Sequence, residues 1–380
     1  MRRICELPKH LLGLLSDGKH LSQHPVNIPS IQHVRAQARL ITESLHARKM
    51  VSAPVDKLGR PLRDLRISVT DKCNFRCRYC MPREVFGNDF PFMKRDEIMT
   101  FEEIDRIAGI FVSLGVEKIR LTGGEPLLRR NLHELISMIA LRDVEIAMTT
   151  NGVLLPRYAP ALSAAGLDRV TVSLDAIDEA TFAAITDSGH TVASVMAGIE
   201  AAESVGLGPI KINTVVKRNS NEEEILDLVE RFSNRDIAIR FIEYMDVGTT
   251  NGWSMDDVIS ADEIRQLIGG MTPIPPRKKS DVAKRYRTSK GTEVGLITSV
   301  TEPFCSNCTR ARISADGRLF TCLFSTKGLD LLSPIRMGSS DEEIVSMIES
   351  YWEEREDRYS EIRSEATESL ERIEMSYIGG

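Results

Sequence analysis

Six short runs rich in Ile, Val, Leu and Thr, at 65–69, 118–122, 145–149, 169–174, 210–216 and 237–242, alternate with segments at 101–114, 132–139, 159–165, 192–205 and 222–232. The second set carries apolar residues at three- and four-residue spacing. Runs of strand character that keep giving way to a helical period predict β/α units, and strands joined by crossover helices run parallel. In such sheets ligands sit at the carboxyl ends of the strands. The residues with the most chemistry fall there. A cysteine triad follows the first run, Gly123-Gly124-Glu125-Pro126 the second and Thr150-Asn151-Gly152 the third, while Ser173-Leu174-Asp175 closes the fourth.

Cys73, Cys77 and Cys80 form a Cys-x3-Cys-x2-Cys triad. Three thiolates at that spacing can hold a four-iron cluster and leave one iron without a protein ligand, whereas electron-passing clusters commonly use four cysteines. The plainer alternative is structural zinc, which prefers four ligands in pairs such as Cys-x2-Cys, and no fourth Cys or His lies near this triad. Cys305, Cys308 and Cys322 form a second set that by itself suits zinc or an iron-sulfur cluster equally. The count favours the latter. Both sets have three members, and the seventh cysteine, Cys5, lies in the leader, so two half-open clusters account for the chain better than two deficient zinc sites.

Seven cysteines, six of them in two tight groups, are unlike a secreted disulfide scaffold and fit a reducing interior. With 42% hydrophobic and 27% charged residues, the 380-residue chain has the profile of a globular protein. No apolar run approaches the roughly 18 residues of a membrane span. A net charge of −6 argues against a general nucleic-acid binder but allows a local basic pocket. The first fifty residues are basic, acid-poor and hold five of the seven histidines. They read as a disordered leader or an over-extended start, with Met50 as the natural first residue, in preference to an organellar targeting segment, because Ser is sparse.

The texture changes after Asp246. Gly248, Gly252, Gly269-Gly270 and the 273–279 run mark turns, 293–300 reads as a strand, and Ala315-Asp316-Gly317 signals a hairpin between 310–314 and 318–323. This predicts a smaller, mainly antiparallel appendage. Ile344, Met347, Ile348, Tyr351 and Trp352 put a docking stripe on a helix. The charge-rich 353–374 stretch is expected to be a solvated surface segment. The expected domains are a leader at 1–55, a β/α domain at 56–246 and a C-terminal domain at 247–380.

Gly123-Gly124 permits close backbone approach to a ligand, or simply a tight turn. Neither a G-x-G-x-x-G fingerprint nor a phosphate loop is present. Arg66, Arg120, Lys211, Arg310 and Arg312 lie on or beside strand runs. Convergent cations there suit a multiply charged anion such as a phosphate chain, the alternative being ordinary ion pairs.

The triad with Met81-Pro82 and the Gly-Gly-Glu-Pro motif resembles the radical S-adenosylmethionine superfamily. Within it, the region from about Asp56 to Gly380 is similar to the GTP 3',8-cyclase family of molybdenum cofactor biosynthesis. The segments that carry this are LGRPLRDLRISVTDKCNFRCRYCMP, RLTGGEPLLRR, FCSNCTRARISADGRLFTCLF and the terminal SYIGG. The leader lies outside the resemblance. The implied fold class is α/β: an incomplete six-unit (β/α) TIM-type barrel closed by a C-terminal, mainly antiparallel α+β cluster domain.

The resemblance also implies a lyase with two 4Fe-4S clusters and S-adenosyl-L-methionine. Cys73, Cys77 and Cys80 would ligate the first cluster, whose open iron takes the methionyl part of S-adenosylmethionine. Tyr79, Gly124, Ser173 and Met245 would position that cofactor. Cys305, Cys308 and Cys322 would ligate the second cluster, its open iron facing guanine. Arg66, Arg120, Thr149, Lys211 and the Arg310-Ala311-Arg312 segment would hold GTP, and the Gly379-Gly380 tail would enter the cavity. A 5'-deoxyadenosyl radical would remove the C3' hydrogen of the GTP ribose, and the ribose radical would then add to C8.

Further implied are an electron donor such as a flavodoxin or ferredoxin, a following enzyme that makes cyclic pyranopterin monophosphate, a homodimer, a cytoplasmic location, and no nucleic-acid or membrane partner. If the leader is a targeting segment, the location becomes an organellar matrix. No general acid or base stands out. Two other readings remain: a two-cluster radical enzyme acting on a peptide, and a non-enzymatic iron-sulfur or zinc protein.

Overall fold

The computed structural model describes residues 53–278, 280–363 and 372–379. Nearly all of the basic leader, Cys5 and Gly380 lie outside the described residues. Strands β1 (Asp64–Ser68), β2 (Lys118–Thr122), β3 (Glu145–Thr150), β4 (Arg169–Ser173), β5 (Ile210–Val216) and β6 (Ile237–Glu243) lie side by side in chain order, all parallel. Each matches an expected run to within one residue at either end.

The crossovers carry α1 (Phe101–Ser113), α2 (Leu132–Ile139), α3 (Leu155–Ala165), α4 (Glu179–Thr186), α5 (Val192–Ser204) and α6 (Glu224–Arg231). Thr100 and Glu103 form a capping box that starts α1, whose Ile104, Ile107, Ala108 and Phe111 face the core. Helix α3 begins four residues before the expected 159. Its prolines explain the difference: Pro156 falls in the first turn, where its missing N–H is no loss, although Pro160 interrupts the pattern downstream. Helix α4 was not expected, because Ala-rich EATFAAIT shows little sidedness; Asp178 caps it.

The chain after β6 does not make a detached sheet. Strand β9 (Glu293–Ile297) pairs parallel to β6, with β8 (Lys284–Arg287) and β7 (Thr272–Ile274) antiparallel outside it. At the opposite edge, β10 (Arg310–Ile313) pairs parallel to β1, followed by antiparallel β11 (Arg318–Phe320) and β12 (Leu329–Asp330). One twelve-stranded sheet therefore runs through both parts of the chain. The eight strands from β10 to β9, laid flat, would span about 34 Å. Yet Arg312 on β10 and Ile297 on β9 line the same cavity, so the sheet is rolled into an incomplete barrel.

Along the strands, alternate residues face opposite ways. Leu65, Ile67, Ile119, Leu121, Val170 and Val172 are buried against the helices. The other face is polar, which is unusual for parallel strands, since these are normally apolar on both sides.

The helix Asp341–Glu353 docks as expected through Ile344, Ile348 and Trp352. The following charged stretch is corrected in part: Glu353, Glu354, Glu356, Arg358 and Glu361 are exposed as expected, but other members of its described portion are not solvated. Arg355 and Tyr359 are buried, and Asp246, 1% exposed, accepts hydrogen bonds from Tyr359 Oη (2.6 Å) and Arg363 Nε (3.0 Å) and pairs with Arg372 (3.3 Å). Composition alone missed this because the acids that receive these arginines lie far away in sequence. Removing one member of a buried ion cluster leaves the others uncompensated, at about 3–5 kcal/mol. Asp246→Ala is therefore expected to lower the melting temperature and speed tryptic cleavage at Arg363, read by thermal denaturation and limited proteolysis.

Candidate functional site

The polar inner face of the barrel carries Arg66 on β1, Arg120 on β2, Thr149 on β3, Thr171 on β4, Asn213 on β5 and Arg240 on β6, all lining one cavity with Arg310 and Arg312 of β10. Strand register brings these together. Arg66 lies opposite Arg120 on one side and Arg312 on the other. Arg120 Nη1 donates to Thr149 Oγ1 (3.0 Å) and Thr171 Oγ1 (3.1 Å), which hold its fork in place.

Among the described residues, no carboxylate forms an ion pair with Arg66, Arg240, Arg312 or Lys211, and Arg310 Nε and Arg312 Nε are buried without partners. Burial and the neighbouring Arg312, Arg310 and Arg120 push the Arg66 guanidinium well below its usual range. Burial, with Arg169 and Arg240, lowers Arg120 to about 9. Arginine does not give up its proton in proteins, so these shifts reflect charge that is held out of water, beside other cations, and only partly offset by Asp64 and Glu145. Lysine can respond. Burial, then Arg240, Arg169 and Arg120, bring Lys211 to about 6.

Lys211 stands apart from the other cations. It sits at the amino end of β5 and faces a small neighbouring pocket that shares Arg240 with the main cavity. Ala311 is fully buried in the apolar core, paired with Leu65, so its side chain points away from the cavity.

The triad lies on the loop after β1. Cys77 O accepts from Cys80 N (2.9 Å) and Met81 N (2.8 Å), a tight turn that presents all three thiols, and Phe75 N donates to Cys73 Sγ (3.4 Å). None of the six described cysteines is in a disulfide. Burial, with the Glu125 carboxylate, pushes Cys73 to about 11, and burial, with Cys73, Glu374 and Asp175, pushes Cys80 to about 12. The chain thus offers these thiolates no adequate cation, and a positively charged metal core is what would suit them.

Glycines 123 and 124 press against this loop: a Cβ at Gly124 would come within 2.4 Å of Lys72 O, and Gly124 N donates to Thr70 O (2.8 Å). Their first task is therefore close backbone packing that fixes the triad loop. Buried Glu125 caps the following turn and accepts from Thr150 Oγ1 (2.8 Å) and Asn151 N (2.8 Å), joining the ends of β2 and β3. Burial raises its carboxyl to about 7. Tyr79 and Met245 line the cavity, and Tyr79 Oη donates to Asp175 (2.7 Å), two residues beyond Ser173 at the end of β4.

Cys305, Cys308 and Cys322 line the same cavity from the β10–β11 side. Burial pushes the Cys308 thiol up, but Arg310 and Arg355 more than offset it and hold it at about 6. No three His, Cys, Asp or Glu side chains among the described residues converge as a single ion requires. Each set offers three free thiols, the number that a four-iron cluster with one open iron would take.

Gly379 reaches the same end of the barrel, where a Cβ on it would lie 2.9 Å from Thr122 Oγ1 and 3.3 Å from Ser68 Cβ. Sequence reasoning missed Arg240, Arg60 and Arg355 on the cavity wall. Arg240 was findable, as a cation at an inward position of an alternating strand, like Arg66. Arg60 and Arg355 carry no local signal.

The Radical SAM superfamily matches residues 67–232, and Molybdenum Cofactor Synthesis C matches residues 237–361. The chain is 47% identical over 341 residues to the GTP 3',8-cyclase of Staphylococcus haemolyticus (strain JCSC1435), covering 87% of this chain and 100% of that one. It is 49% identical over 356 residues to the GTP 3',8-cyclase of Acidothermus cellulolyticus (strain ATCC 43068 / DSM 8971 / 11B), covering 86% and 98%. Among solved structures, Streptococcus suis SuiB bound to S-adenosylmethionine is similar with a TM-score of 0.54 at 16% identity, over 86% of this chain and 75% of that one. At that identity the likeness concerns the fold alone.

Proposed function

The chain belongs to the GTP 3',8-cyclase family of the radical S-adenosylmethionine superfamily, and from that premise we propose that its barrel cavity holds S-adenosylmethionine at the triad end and GTP across the basic wall. The enzyme cyclises GTP to (8S)-3',8-cyclo-7,8-dihydroguanosine 5'-triphosphate, the first step of molybdenum cofactor biosynthesis. The observation that carries the site assignment is the set of Arg66, Arg240 and Arg312 on the cavity wall, which have no carboxylate ion-pair partner among the described residues. A triphosphate supplies the missing charge.

A cluster at Cys73, Cys77 and Cys80 supplies the electron that splits S-adenosylmethionine. The chain's own part is positional. Tyr79, Gly124, Ser173 and Met245 hold that cofactor, and Arg66, Arg120, Thr149, Lys211, Arg310 and Arg312 anchor the nucleotide, with Arg240 added to the same wall. Cys305, Cys308 and Cys322 would hold a second cluster, whose open iron would serve the guanine. The Gly379-Gly380 tail would enter the cavity, so that the reactive carbon would meet an anchored ribose before water.

We class the enzyme as a cytoplasmic homodimeric lyase, reduced by a flavodoxin or ferredoxin and followed by an enzyme that makes cyclic pyranopterin monophosphate. Among the described residues no helix is long and apolar enough to cross a membrane.

The test is an anaerobic assay with S-adenosylmethionine and GTP deuterated at C3'. Deuterium is expected in 5'-deoxyadenosine, with a 3',8-cyclised product. Cofactor cleavage without GTP conversion would instead favour a peptide substrate. Metal analysis should find roughly eight irons per chain; zinc at either set would overturn the cluster assignment.

Lys211 adds a pH signature. At about 6 in the free protein it is mostly neutral at pH 7.5, and adjacent phosphates favour its charged form, so binding takes up a proton. GTP affinity is expected to fall as pH rises from 6 to 8, by at most about tenfold per unit. Phosphate ionisation adds its own slope, so the readout is wild type against Lys211→Met by calorimetry. Identical slopes would remove Lys211 from the phosphate site.

A further inference from the structure

Three charged residues far apart in sequence meet behind the second cysteine set. Asp56, Arg60 and Arg355 are each 5% exposed or less. Asp56 Oδ2 accepts from Arg60 Nε (2.6 Å) and Arg355 Nη1 (3.3 Å), and Asp56 Oδ1 accepts from Arg60 N (2.8 Å). Both guanidinium groups also reach main-chain oxygens of the cysteine loop, Arg355 through the same Nη1 that meets Asp56. Arg60 Nη1 donates to Cys305 O (2.8 Å), and Arg355 Nη1 donates to Cys308 O (2.8 Å).

The assembly extends to Asp357, which lines the cavity together with Arg60 and Arg355. Arg60 Nη1 also reaches Asp357 O (2.8 Å), Arg355 Nε lies 3.4 Å from Asp357 Oδ2, and Thr321 Oγ1, next to Cys322, donates to that same carboxylate (2.5 Å). Trp352 Nε1 donates to Arg60 O (3.1 Å), and the Arg355 guanidinium stacks on the Trp352 ring at 4.6 Å.

Buried charge clusters contribute little net stability against apolar replacements of similar volume, so stability alone is a poor reason for this one. Its geometry shows another. The Cys305–Asn307 turn has two main-chain bonds, Asn307 N to Phe304 O (3.3 Å) and Cys308 N to Cys305 O (3.1 Å), and Ser306 N donates to Glu361 (3.1 Å). Both carbonyls that frame the Cys-x2-Cys are held by guanidinium groups in rigid forks, and one carboxylate sets the distance between those forks. Groups that orient ligands from behind commonly decide metal affinity.

We propose that Asp56, Arg60 and Arg355 are positioning residues for the second thiol set: a buckle between the entry to β1 and the segment after the helix Asp341–Glu353 that presets the Cys305–Cys308 loop for its cluster. The proposal rests on the reading of Cys305, Cys308 and Cys322 as a cluster site.

The test uses the full chain, reconstituted anaerobically, with Arg355→Met, Arg355→Lys and Asp56→Asn. Iron per chain is expected to fall by half in Arg355→Met, with the remaining EPR signal still shifting on addition of S-adenosylmethionine, which assigns it to the triad. In the iron-free protein, alkylation of buried Cys308 should speed up at least tenfold. Arg355→Lys, which keeps a charged donor, should recover most of the iron, and Asp56→Asn should fall between.

Full iron and unchanged Cys308 labelling in Arg355→Met and Asp56→Asn would overturn the proposal. So would equal loss from both sites with a collapsed melting temperature in every variant, which is the mark of a merely structural role. If wild type itself holds only half the iron, or zinc, at the second set, the underlying cluster reading fails whatever the variants do.

Discussion

Cys77→Ala is expected to abolish S-adenosylmethionine cleavage and GTP conversion together, each by roughly a thousandfold or more, about 4 kcal/mol of barrier. Cys305→Ala is expected to leave cleavage measurable and remove only cyclisation. The difference follows from placement. Cys77 is the middle ligand of a loop whose turn closes on its own carbonyl, so its loss leaves two thiols where the cofactor is to be reduced. Cys305 stands on the separate loop before β10. Measuring 5'-deoxyadenosine and cyclised product side by side in both variants checks this. Equal loss of cleavage in both would mean that the two cysteine sets do not divide the work.

Deleting Gly379 and Gly380 is expected to lower cyclisation at least a hundredfold, about 2.7 kcal/mol, while iron content stays at the wild-type level. Gly379→Ala alone should give much of that loss. Gly379 has φ +70°, and a Cβ there would meet Thr122 Oγ1 at 2.9 Å, so alanine is both strained and crowded. Tyr377 Oη donates to Asp316 (2.6 Å), and Glu374 accepts from Thr249 N (2.9 Å), which bring the tail to this point. Full activity in the truncation would show that the tail only seals the barrel.

Much of the barrel was legible in the chain. Strand and helix periods are local properties, so the six strands and most crossover helices fell within a residue or so of expectation. The cysteine spacings and the inward cations were legible for the same reason. Arg66 and Arg120 sit in alternating strands whose other face is plainly apolar, and Arg240 could have been found by the same rule. The exceptions were decided at long range. Helix α4 lacks a marked apolar stripe, and α3 starts at Pro156, which reads as a breaker until its place in the first turn is known.

The charged stretch after Glu353 is the clearest case of what a one-dimensional reading misses. Its composition is that of a solvated surface, yet Arg355 is buried beside Asp56 and Arg363 beside Asp246, partners roughly 300 and 120 positions away. The likeness of the cysteine segments to a known family named the chemistry, but it could not place Lys211 in its own pocket or turn Ala311 away from the cavity.

By itself, then, the sequence determined which ligands and cations the protein possesses and which strand or loop carries each, because spacing and alternation are properties of neighbours along the chain. Only the tertiary structure decided that β10 pairs beside β1 and β9 beside β6. That closure brings the second cysteine set, Tyr79 of the triad loop and a wall of cations to one cavity. The reason is physical: pairing at the sheet edges and burial of distant ion partners depend on contacts between segments hundreds of residues apart, and no local pattern encodes them.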